Sequence, residues 1–256
     1  MALQMAFDGK HAFVTGGGRG IGRAVAAALT GAGAAVTVIG RSEKPLQDAV
    51  EAGDAAGYGV ADVTDAAQVG KTIEGAEKDR GPVTILVNNA GSVETGPFAK
   101  AHPQVFQNMW NVHLMGAVHA SQAVLPGMVE RGFGRIVNVA STAGLKGYPY
   151  VSAYCAAKHA LVGLTRALAA ETATRGVTVN AVCPGYSDTD LVRDSIDRAV
   201  EKTGRARADV LAEYLRETPI GRLIRPEEVA AAVLYLCSPA AASVTGTTLA
   251  VAGGEM

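Results

Sequence analysis

The stretch TGGGRGIG, residues 15–22, determines how the rest of the sequence is interpreted. It follows HAFVT (11–15), an apolar run with the length of a β-strand. It opens IGRAVAAALTGAG (21–33), whose apolar residues recur with helical spacing until glycines end the segment. A glycine-rich turn between a first strand and a first helix lets the backbone approach a phosphate, and it presents the free N–H groups of the helix N-terminus to the anion.

The spacing of these glycines is not the GxGxxG pattern of dinucleotide-binding turns. Gly18 and Gly20 would require a third glycine at position 23, which is Arg23. The spacing is instead that of Gly16, three residues, Gly20, Ile21 and Gly22. A tight turn that holds no ligand is the alternative interpretation, but the position of the turn directly after the first strand favours dinucleotide binding.

The alternation of strand and helix continues along the chain. Further apolar runs of strand length are AAVTVI (34–39), GYGVA (57–61), VTILVN (83–88), RIVNVA (135–140), VTVNAV (177–182) and TTLAV (247–251). Segments with helical spacing lie between them, at 45–52, 65–80, 103–131, 152–174 and 226–237. Because the strand segments are continuously apolar, we expect both of their faces to be buried between helix layers. The sequence predicts an α/β fold, a single-domain Rossmann-type doubly wound parallel sheet of about seven strands with helices on both faces.

Only one segment departs from this rhythm. No Pro/Ser-rich linker divides the chain, so residues 1–256 are predicted to form one dinucleotide-binding catalytic domain. Residues 186–225 hold most of the charge of the C-terminal third and lie between a strand and the next clear helix. Inserted helices and a mobile lid over a substrate are both consistent with this composition.

Composition excludes several classes of protein. The 256 residues have a net charge of -1 and scattered basic residues, so no bulk field favours nucleic acid or an anionic membrane. Three cysteines without a CxxC pair indicate a reduced, intracellular setting. His113 and His119 lie six residues apart, which does not place them on one helix face, and we predict no metal site. Residues 1–11 lack the apolar core of a signal peptide, and no apolar run is long enough to span a bilayer, so we expect a cytoplasmic protein.

The segment SAYCAAKHA (152–160) places a tyrosine and a lysine four residues apart. Tyr154 and Lys158 therefore project from the same face of a helix, and small residues between them leave that face open to a flat ligand. A nearby ammonium is expected to lower the pKa of the tyrosine, which then exchanges a proton with a carbonyl or alcohol oxygen. The alternative is an ordinary exposed helix surface.

Polar or glycine residues follow three of the predicted strands. Ser141 follows the strand RIVNVA (135–140). Asn88 to Gly91 lie at the end of the fourth strand, and residues 183–185 lie at the end of the sixth. Ligands of open α/β sheets bind at the carboxyl ends of the strands. The three strand ends therefore indicate one shared crevice.

With these residues in place, the sequence resembles the short-chain dehydrogenase/reductase (SDR) family, in its short single-domain branch, and is similar to 3-oxoacyl-thioester reductases. The motifs that carry the resemblance are TGGGRGIG, NNAG, Ser141 with YCAAK, and PGYSDT (184–189). They occur in the family's order and cover nearly all of the chain. The resemblance implies hydride transfer between a nicotinamide cofactor and a carbonyl or secondary alcohol.

The resemblance also implies roles for individual residues. The catalytic set is Asn111, Ser141, Tyr154 and Lys158, with Tyr154 as acid/base, Ser141 on the substrate oxygen and Asn111 anchoring a water in the proton relay. The cofactor-binding set is Gly16, Gly18, Arg19, Gly20, Ile21, Gly22, Arg41, Asp62, Val63, Asn89, Ala90, Gly91, Tyr154, Lys158, Pro184, Gly185, Ser187 and Thr189. The substrate pocket is expected to include Ser92, Leu145, Tyr148, Tyr186 and Leu191. Asn88 is interpreted as a structural brace between strands.

The stretch TVIGRSE (37–43) indicates which cofactor is used. An NAD-binding relative would have a carboxylate for the ribose at Gly40, whereas here a glycine is followed by Arg41. A guanidinium suits a 2'-phosphate, and Arg19 can approach the same group. We therefore predict that NADP(H) is preferred, with NAD(H) possible. The alternatives are that Arg41 points into solvent and that Arg19 serves an NAD enzyme.

Three functions stay open. The first is an NADP(H)-dependent reductase of a ketone, a 3-oxoacyl thioester or a similar carbonyl. The second is a catabolic dehydrogenase of secondary alcohols or hydroxyacyl-CoA, and the third is a non-catalytic nucleotide-binding regulator. Relatives commonly form tetramers, so a homotetramer is expected. The charged segment holds five cations that could bind a phosphate of coenzyme A or of a carrier protein: Arg193, Arg198, Lys202, Arg205 and Arg207. The alternative is that they lie on a solvated helix face. Acidic residues alternate with them in the sequence, and such mixed charges favour the solvated face.

Overall fold

The computed structural model describes residues 7–255; residues 1–6, the start of the stretch examined for a signal peptide, lie outside it. The strands are β1 (His11–Thr15), β2 (Ala35–Gly40), β3 (Gly57–Val60), β4 (Val83–Asn88), β5 (Gly134–Val139), β6 (Val177–Pro184) and β7 (Thr248–Val251). They form one seven-stranded sheet in the order β3-β2-β1-β4-β5-β6-β7, and every neighbouring pair is parallel.

Helices cover both faces of this sheet. They are α1 (Gly20–Gly31), α2 (Glu43–Glu51), α3 (Ala66–Arg80), α4 (Pro103–Trp110), α5 (Gly116–Glu130), α6 (Ser152–Thr172), α7 (Asp190–Thr203), α8 (Arg207–Arg216) and α9 (Pro226–Cys237). Apolar residues of α1, α2 and α9 pack on one face, and those of α3, α5 and α6 pack on the other. The predicted doubly wound α/β fold is confirmed.

Successive strand residues supply the two apolar cores. Phe13 and Leu86 pack with α3 and α5, whereas Val14 and Val87 pack with α1 and α9. All four side chains are completely buried. Each such side chain contributes about 1.5–3 kcal/mol of transfer free energy, which explains why the strand segments are apolar throughout.

The strand order reverses between β1 and β4. The chain runs outward from β1 to β3 and then returns to place β4 on the other side of β1. The loops after β1 and β4 therefore leave in opposite directions and open a crevice at the carboxyl edge of the sheet, which is where open α/β sheets bind ligands.

The long helix predicted for 103–131 is interrupted. Residues 111–115 form a π-helical segment between α4 and α5. A wider turn of this kind changes which residues of the following helix face the sheet, and such turns often occur at functional sites.

Residues 186–225 contain the helices α7 and α8, which pack against each other. Three of the five cations considered above for a phosphate are in ion pairs: Arg193 with Asp188, Arg205 with Glu213, and Arg207 with Asp197. Exposed pairs of this kind contribute at most about 1 kcal/mol each, so they describe a solvated surface more than a stabilising network. This agrees with the interpretation of the charges as a solvated helix face.

The described residues hold neither a candidate membrane-spanning helix nor a candidate metal cluster. No helix within 7–255 has the length and apolar character needed to cross a membrane. In the same part of the chain, no three His, Cys, Asp or Glu side chains come together as potential metal ligands.

Candidate active site

The glycine turn between β1 and α1 packs closely against the end of β4. Gly16 and Gly20 have φ angles of +65° and +50°, a region that strains residues with a Cβ. A Cβ at Gly16 would lie 2.9 Å from Cα of Ala90, and one at Gly22 would lie 2.3 Å from the Gly16 carbonyl oxygen and 2.4 Å from Nδ2 of Asn89. These glycines are required because three backbone segments approach one another too closely for side chains.

We expect Gly22→Ala to weaken binding of NADP(H) by tenfold or more and to lower the melting temperature, because the new Cβ forces the turn away from α1. Equilibrium fluorescence titration with NADPH and thermal unfolding measure the two effects. The matched control is Gly31→Ala at the other end of α1, where a Cβ meets no atom of residues 7–255 within 4 Å. That change should leave nucleotide binding intact and stabilise the helix by about 0.5–1 kcal/mol. Equal nucleotide affinity in both variants would contradict the assigned role of the turn.

The N-terminus of α1 has the electrostatic character of an anion site. Its N-cap is Arg19, no side chain of the described residues caps it, and the first turn contains no acidic residue. The backbone N–H groups of Gly20, Ile21 and Gly22 therefore have no partner inside the helix, and the positive end of the helix dipole lies beside them. This arrangement fits a dinucleotide pyrophosphate.

Thr15 joins the ends of β1 and β4. Its Oγ1 accepts hydrogen bonds from the backbone N–H groups of Asn89 (2.9 Å) and Ala90 (3.0 Å). The Asn89 amide donates in return to the carbonyl oxygens of Thr15 (3.0 Å) and Gly16 (3.2 Å). The NNAG motif thus fixes the glycine turn. Thr15 was missed by the sequence reasoning, although its position as the last residue of the first strand was the available signal.

Two guanidinium groups of the predicted cofactor site are exposed to solvent, that of Arg41 after β2 and that of Arg19 before α1. Arg41 directly follows Gly40, and both Arg41 and Arg19 are exposed side chains without an ion pair or side-chain hydrogen bond to any described residue. Asp62 lies at the end of the neighbouring strand, where its Oδ1 accepts from the Thr64 N–H at 2.9 Å. The cationic groups are therefore free to meet a phosphate, and Asp62 is part of a rigid turn.

The end of β6 meets the glycine turn. Pro184 is the last residue of the strand, and the side chain of Thr189 lies 3.3 Å from the position of a Cβ at Gly20. Ser187 donates from Oγ to the Gly185 carbonyl oxygen at 3.1 Å, which holds the loop between them in a tight turn. Two widely separated parts of the cofactor-binding set are thus adjacent in space.

Ser141, Tyr154 and Lys158 come together where β5 meets α6. Lys158 is 4% exposed, its Nζ donates to the Val139 carbonyl oxygen at 2.7 Å, and it lies 5.6 Å from the centre of the Tyr154 ring. Ser141 follows β5 directly, and its Oγ accepts from the Ala143 N–H at 3.1 Å. The predicted tyrosine, lysine and serine therefore form one cluster at the carboxyl edge of the sheet.

Burial controls the protonation of this cluster. The hydroxyl of Tyr154 is desolvated, which raises its pKa to about 12, while the hydrogen bond with Ser141 acts in the opposite direction. Burial lowers the pKa of Lys158 to about 7. Desolvation of the phenolate is the largest influence on the pKa of Tyr154 in this structure, and the lowering of that pKa by Lys158 stays a prediction. Tyr154 is protonated at neutral pH and is ready to donate.

Asn111 does not join this cluster. Its Oδ1 accepts from Nε2 of Gln107 at 2.7 Å. His113, two residues further on, packs edge-to-face on the Tyr154 ring with 5.1 Å between ring centres, and its Nε2 lies 2.7 Å from the Ser92 carbonyl oxygen. Residues two apart in this π-helical segment lie on nearly opposite sides, so only one of the two can face the tyrosine. The structure places His113 beside Tyr154, and the role of Asn111 in anchoring a relay water stays a prediction.

The helical spacing of the buried residues could have identified His113 from the sequence. Met109 and Ala117 are buried, and His113 lies four residues from each, whereas Asn111 is out of phase with both. Burial and the positive charge of Lys158 lower the pKa of His113 to about 3, so the imidazole is neutral. Its neutral form has one N–H and one acceptor nitrogen.

The comparison that decides the family is with known sequence profiles. The profile described as short chain dehydrogenase matches residues 10–199, well over half of the chain. The chain belongs to the short-chain dehydrogenase family. It is an oxidoreductase of CH–OH and C=O groups, as the cluster of Ser141, Tyr154 and Lys158 indicates.

Named relatives match at least 90% of the chain. It is 44% identical over 247 residues to 2-(S)-hydroxypropyl-CoM dehydrogenase 3 of Xanthobacter autotrophicus, with 94% of each chain covered. It is 43% identical over 232 residues to a protein of the same organism named as inactive 2-(S)-hydroxypropyl-CoM dehydrogenase 2, covering 90% of this chain and 98% of the other. It is 39% identical over 251 residues to 3-oxoacyl-(acyl-carrier-protein) reductase FabG of Vibrio harveyi, with 98% of each covered.

A crystal structure agrees with these relatives. A variant of actinorhodin polyketide ketoreductase with NADPH superimposes on this dehydrogenase with a TM-score of 0.92, at 35% sequence identity and with 96% of each chain covered. The predicted resemblance to the short-chain dehydrogenase/reductase family, and to 3-oxoacyl-thioester reductases within it, is confirmed.

The side chains expected to contact the substrate are only partly brought together in this dehydrogenase. Tyr148 and Tyr186 lie 6.1 Å apart, ring centre to ring centre, and Tyr186 also packs edge-to-face on Tyr214 of α8 at 4.7 Å. Leu145 packs against the apolar cluster around Ala117, Leu161 and Cys183. Leu191 is 39% exposed on α7, and Ser92 is occupied in holding His113 through its carbonyl oxygen.

One acidic residue on this side was missed by the sequence reasoning. Glu255 is 2% exposed, and its Oε1 accepts a hydrogen bond from the Tyr148 hydroxyl and lies 3.5 Å from Nζ of Lys146. Burial and the carboxylate raise the pKa of Tyr148. Tyr148 is therefore held by Glu255. No pattern in the sequence indicated that this glutamate lies beside Tyr148.

Proposed function

We propose that the enzyme reduces a ketone, presented as a 3-oxoacyl thioester or a similar carbonyl compound, to a secondary alcohol with NADPH. The observation that supports this most directly is the cluster of Ser141, Tyr154 and Lys158 beside the glycine turn, with Tyr154 held in its protonated form. The names of the Vibrio harveyi reductase and of the NADPH-bound ketoreductase agree with a reductive reaction.

The residues fit a reduction in which hydride and proton reach opposite ends of the C=O bond. When bound, the reduced nicotinamide supplies the hydride that goes to the carbonyl carbon. The Tyr154 hydroxyl donates its proton to the carbonyl oxygen, and the Ser141 hydroxyl donates a hydrogen bond to the same oxygen as negative charge develops on it. The alcohol forms, and Tyr154 recovers its proton from the neighbouring groups and solvent.

Substrate and cofactor are held by separate parts of the crevice. The glycine turn and the N-terminus of α1 fit the pyrophosphate, the ends of β4 and β6 fit the nicotinamide half, and Arg19 and Arg41 fit a 2'-phosphate. The substrate would enter from the side of Tyr148 and Tyr186, beneath α7 and α8.

A dehydrogenase that oxidises a secondary alcohol is the second candidate. The relatives from Xanthobacter autotrophicus support it, because one is named as a hydroxypropyl-CoM dehydrogenase. The same groups would act in reverse, with Tyr154 accepting the proton. A third candidate is a non-catalytic nucleotide-binding role, because one relative is named as inactive. Activity of this protein toward any ketone would exclude that role.

A substrate panel separates these functions. Ketones, 3-oxoacyl thioesters and secondary alcohols are assayed with each of the four nicotinamide cofactors by absorbance at the wavelength of the reduced nicotinamide. The reductase proposal expects the highest kcat/KM for a 3-oxoacyl thioester or another ketone with NADPH. A preference for an alcohol with NAD would replace it with the dehydrogenase, and inactivity with every pair would favour the regulator.

We also propose a single catalytic domain that assembles into a cytoplasmic homotetramer. Cys155, Cys183 and Cys237 are buried free thiols, which suits a reducing compartment. Near α4, Phe98 is 72% exposed and Trp110 is 43% exposed, and large apolar side chains of this kind are typical of contact surfaces. Light scattering of the purified enzyme gives the mass of the assembly, and a monomer would contradict the proposed tetramer.

A further inference from the structure

A buried carboxylate lies on the substrate side of the active site, outside the cluster of Ser141, Tyr154 and Lys158. It belongs to Glu255, whose Oε2 has less than 1 Å² of accessible surface and no hydrogen-bond partner among residues 7–255. Burial of a carboxylate is costly unless neighbouring polar or charged groups compensate for it. The groups that Glu255 contacts therefore indicate why the residue is there.

Two loops of the active site meet at the Glu255 carboxylate. Its Oε1 accepts a hydrogen bond from the Tyr148 hydroxyl and lies 3.5 Å from Nζ of Lys146, and both of these residues follow β5. Its Oε2 faces the loop after β6, because a Cβ at Gly185 would lie 2.7 Å from it. Glu255 thus contacts the loop that contains Ser141 and the loop that is predicted to meet the nicotinamide.

The carboxylate determines the direction of the hydrogen bonds around Tyr148. The Tyr148 hydroxyl oxygen also lies 2.7 Å from Oγ1 of Thr142, but a hydroxyl has only one hydrogen to donate. Because an ionised carboxylate only accepts, the Tyr148 hydrogen points to Glu255, and Thr142 donates to the Tyr148 oxygen. Burial and the hydrogen bond to Glu255 raise the pKa of Tyr148, so the hydroxyl keeps its proton. The hydrogen bonds therefore run in one direction, from Thr142 through Tyr148 to Glu255.

Thr142 begins the short turn that holds Ser141. This turn is a 3₁₀ helix over Thr142–Gly144, Ser141 is its N-cap, and Oγ of Ser141 accepts from the Ala143 N–H at 3.1 Å. Since that bond uses a lone pair of the oxygen, the hydrogen of the Ser141 hydroxyl stays available to the carbonyl oxygen of a substrate. The position of the turn therefore sets the position of the Ser141 hydroxyl.

The turn is held from two sides. On one side Gly144 packs against α6, where an added Cβ would lie 2.8 Å from the Lys158 carbonyl oxygen. On the other side the buried Thr142 hydroxyl bonds to Tyr148, which is fixed in turn by Glu255. A buried hydroxyl without a partner raises the free energy of the folded protein, so release of Tyr148 would let the turn shift until Thr142 finds another partner.

We propose that Glu255 is a positioning residue for Ser141. Its carboxylate orients the Tyr148 hydroxyl, Tyr148 fixes Thr142, and Thr142 fixes the turn that presents the Ser141 hydroxyl to the substrate oxygen. This role rests on the reduction proposed above, in which the Ser141 hydroxyl stabilises the charge that develops on that oxygen. Lys146 compensates the charge of Glu255 and does not connect it to Ser141.

Glu255→Ala is expected to lower kcat for ketone reduction by about tenfold, the equivalent of one weakened hydrogen bond in the transition state, and to change the dissociation constant of NADPH by less than about twofold. Glu255→Gln keeps a side-chain acceptor for Tyr148 and should recover most of the lost rate. Equal rates in these two variants would contradict a role through this hydrogen bond. Thr142→Val breaks the same connection at its other end with little change in volume, so it should reproduce the loss, and it decides the question if Glu255→Ala does not fold.

The Ser141→Ala background separates positioning from a general loss of structure. Without the serine hydroxyl nothing is left for Glu255 to position, so Glu255→Ala should change the residual kcat in this background by less than about twofold. A purely structural role would lower kcat by the same factor with and without the serine hydroxyl. That result would overturn the proposal.

Glu217→Ala is the matched control for the ion pair with Lys146. Glu217 is exposed, and its Oε2 lies 3.8 Å from Nζ of Lys146. The variant therefore removes an acidic partner of the same lysine and leaves the hydrogen bond between Tyr148 and Glu255 in place. Its kcat should stay within about twofold of the wild-type value. A loss as large as that in Glu255→Ala would assign the effect to Lys146 and overturn the proposal.

Amide hydrogen exchange, followed by NMR in the full-length protein without substrate, gives a readout that does not need turnover. The N–H groups of Ala143, Gly144 and Leu145 donate within the turn. Their exchange should be about tenfold faster in Glu255→Ala and in Thr142→Val, and unchanged in Glu217→Ala. Wild-type exchange rates in the first two variants would overturn the proposal. A wild-type enzyme that reduces no ketone would overturn the proposed function instead, so the two failures are distinguishable.

Discussion

Tyr154→Phe is expected to lower kcat for ketone reduction by about 10² to 10⁴ while the dissociation constant of NADPH changes less than about twofold. The substitution removes only the hydroxyl that donates the proton, and the ring keeps its packing on His113. The melting temperature should stay close to that of the wild type, because the loss within residues 7–255 is one hydrogen bond, that with Ser141. Steady-state kinetics and NADPH titration on the same preparation measure both effects.

Tyr150→Phe is the matched control for this experiment. Tyr150 lies four residues earlier, its side chain is 65% exposed, and the same atom is removed. Its kinetics should be those of the wild type. Near-normal turnover in Tyr154→Phe would show that another group supplies the proton, and the mechanism proposed for this site would then be wrong.

Gly40→Asp is expected to reverse the cofactor preference, raising KM for NADPH and lowering KM for NADH by about 10- to 100-fold each. One charged hydrogen bond of 1.5–3 kcal/mol corresponds to this range. The new carboxylate offers acceptors to the ribose hydroxyl of NADH and repels a 2'-phosphate. The position can accept a side chain, because the nearest atom to a Cβ there is in the Leu46 side chain, at 3.6 Å.

Gly40→Asn separates charge from shape in this test, since the amide has nearly the same volume as the carboxylate and no charge. It should change the ratio of kcat/KM values for the two cofactors far less than Gly40→Asp. Arg41→Ala approaches the same question from the other side and should reduce the preference for NADPH. An unchanged preference in Arg41→Ala would remove the basis for predicting NADP(H).

The fold was predictable from the sequence because strands that are buried on both faces have continuous apolar runs. Strands such as Val83–Asn88 and Val177–Pro184 are buried along their whole length, so their apolar runs are continuous. The glycine turn was predictable for a similar reason, because close approach of Gly16, Gly22 and Ala90 excludes every other side chain. In both cases packing restricts the residue type at the position itself.

The features that could not be predicted from the sequence depend on contacts between distant segments. The interruption of the 103–131 helix by a π-helical segment decides that His113, and not Asn111, faces Tyr154. The pKa of Tyr154 depends on how deeply α6 is buried, which the spacing of Tyr154 and Lys158 does not contain. Glu255 reaches Tyr148 across 107 residues of sequence. Such pairings are set by tertiary packing and leave no local pattern.

The most direct test of the central claim is the ratio of kcat/KM for NADPH to that for NADH, measured with a 3-oxoacyl thioester such as acetoacetyl-CoA and the wild-type enzyme. The account predicts measurable reduction with NADPH and a ratio of about ten or more, since Arg41 and Arg19 are free to bind the 2'-phosphate and Gly40 does not repel it. A ratio below one, or no reduction of this thioester or any other ketone, would contradict it.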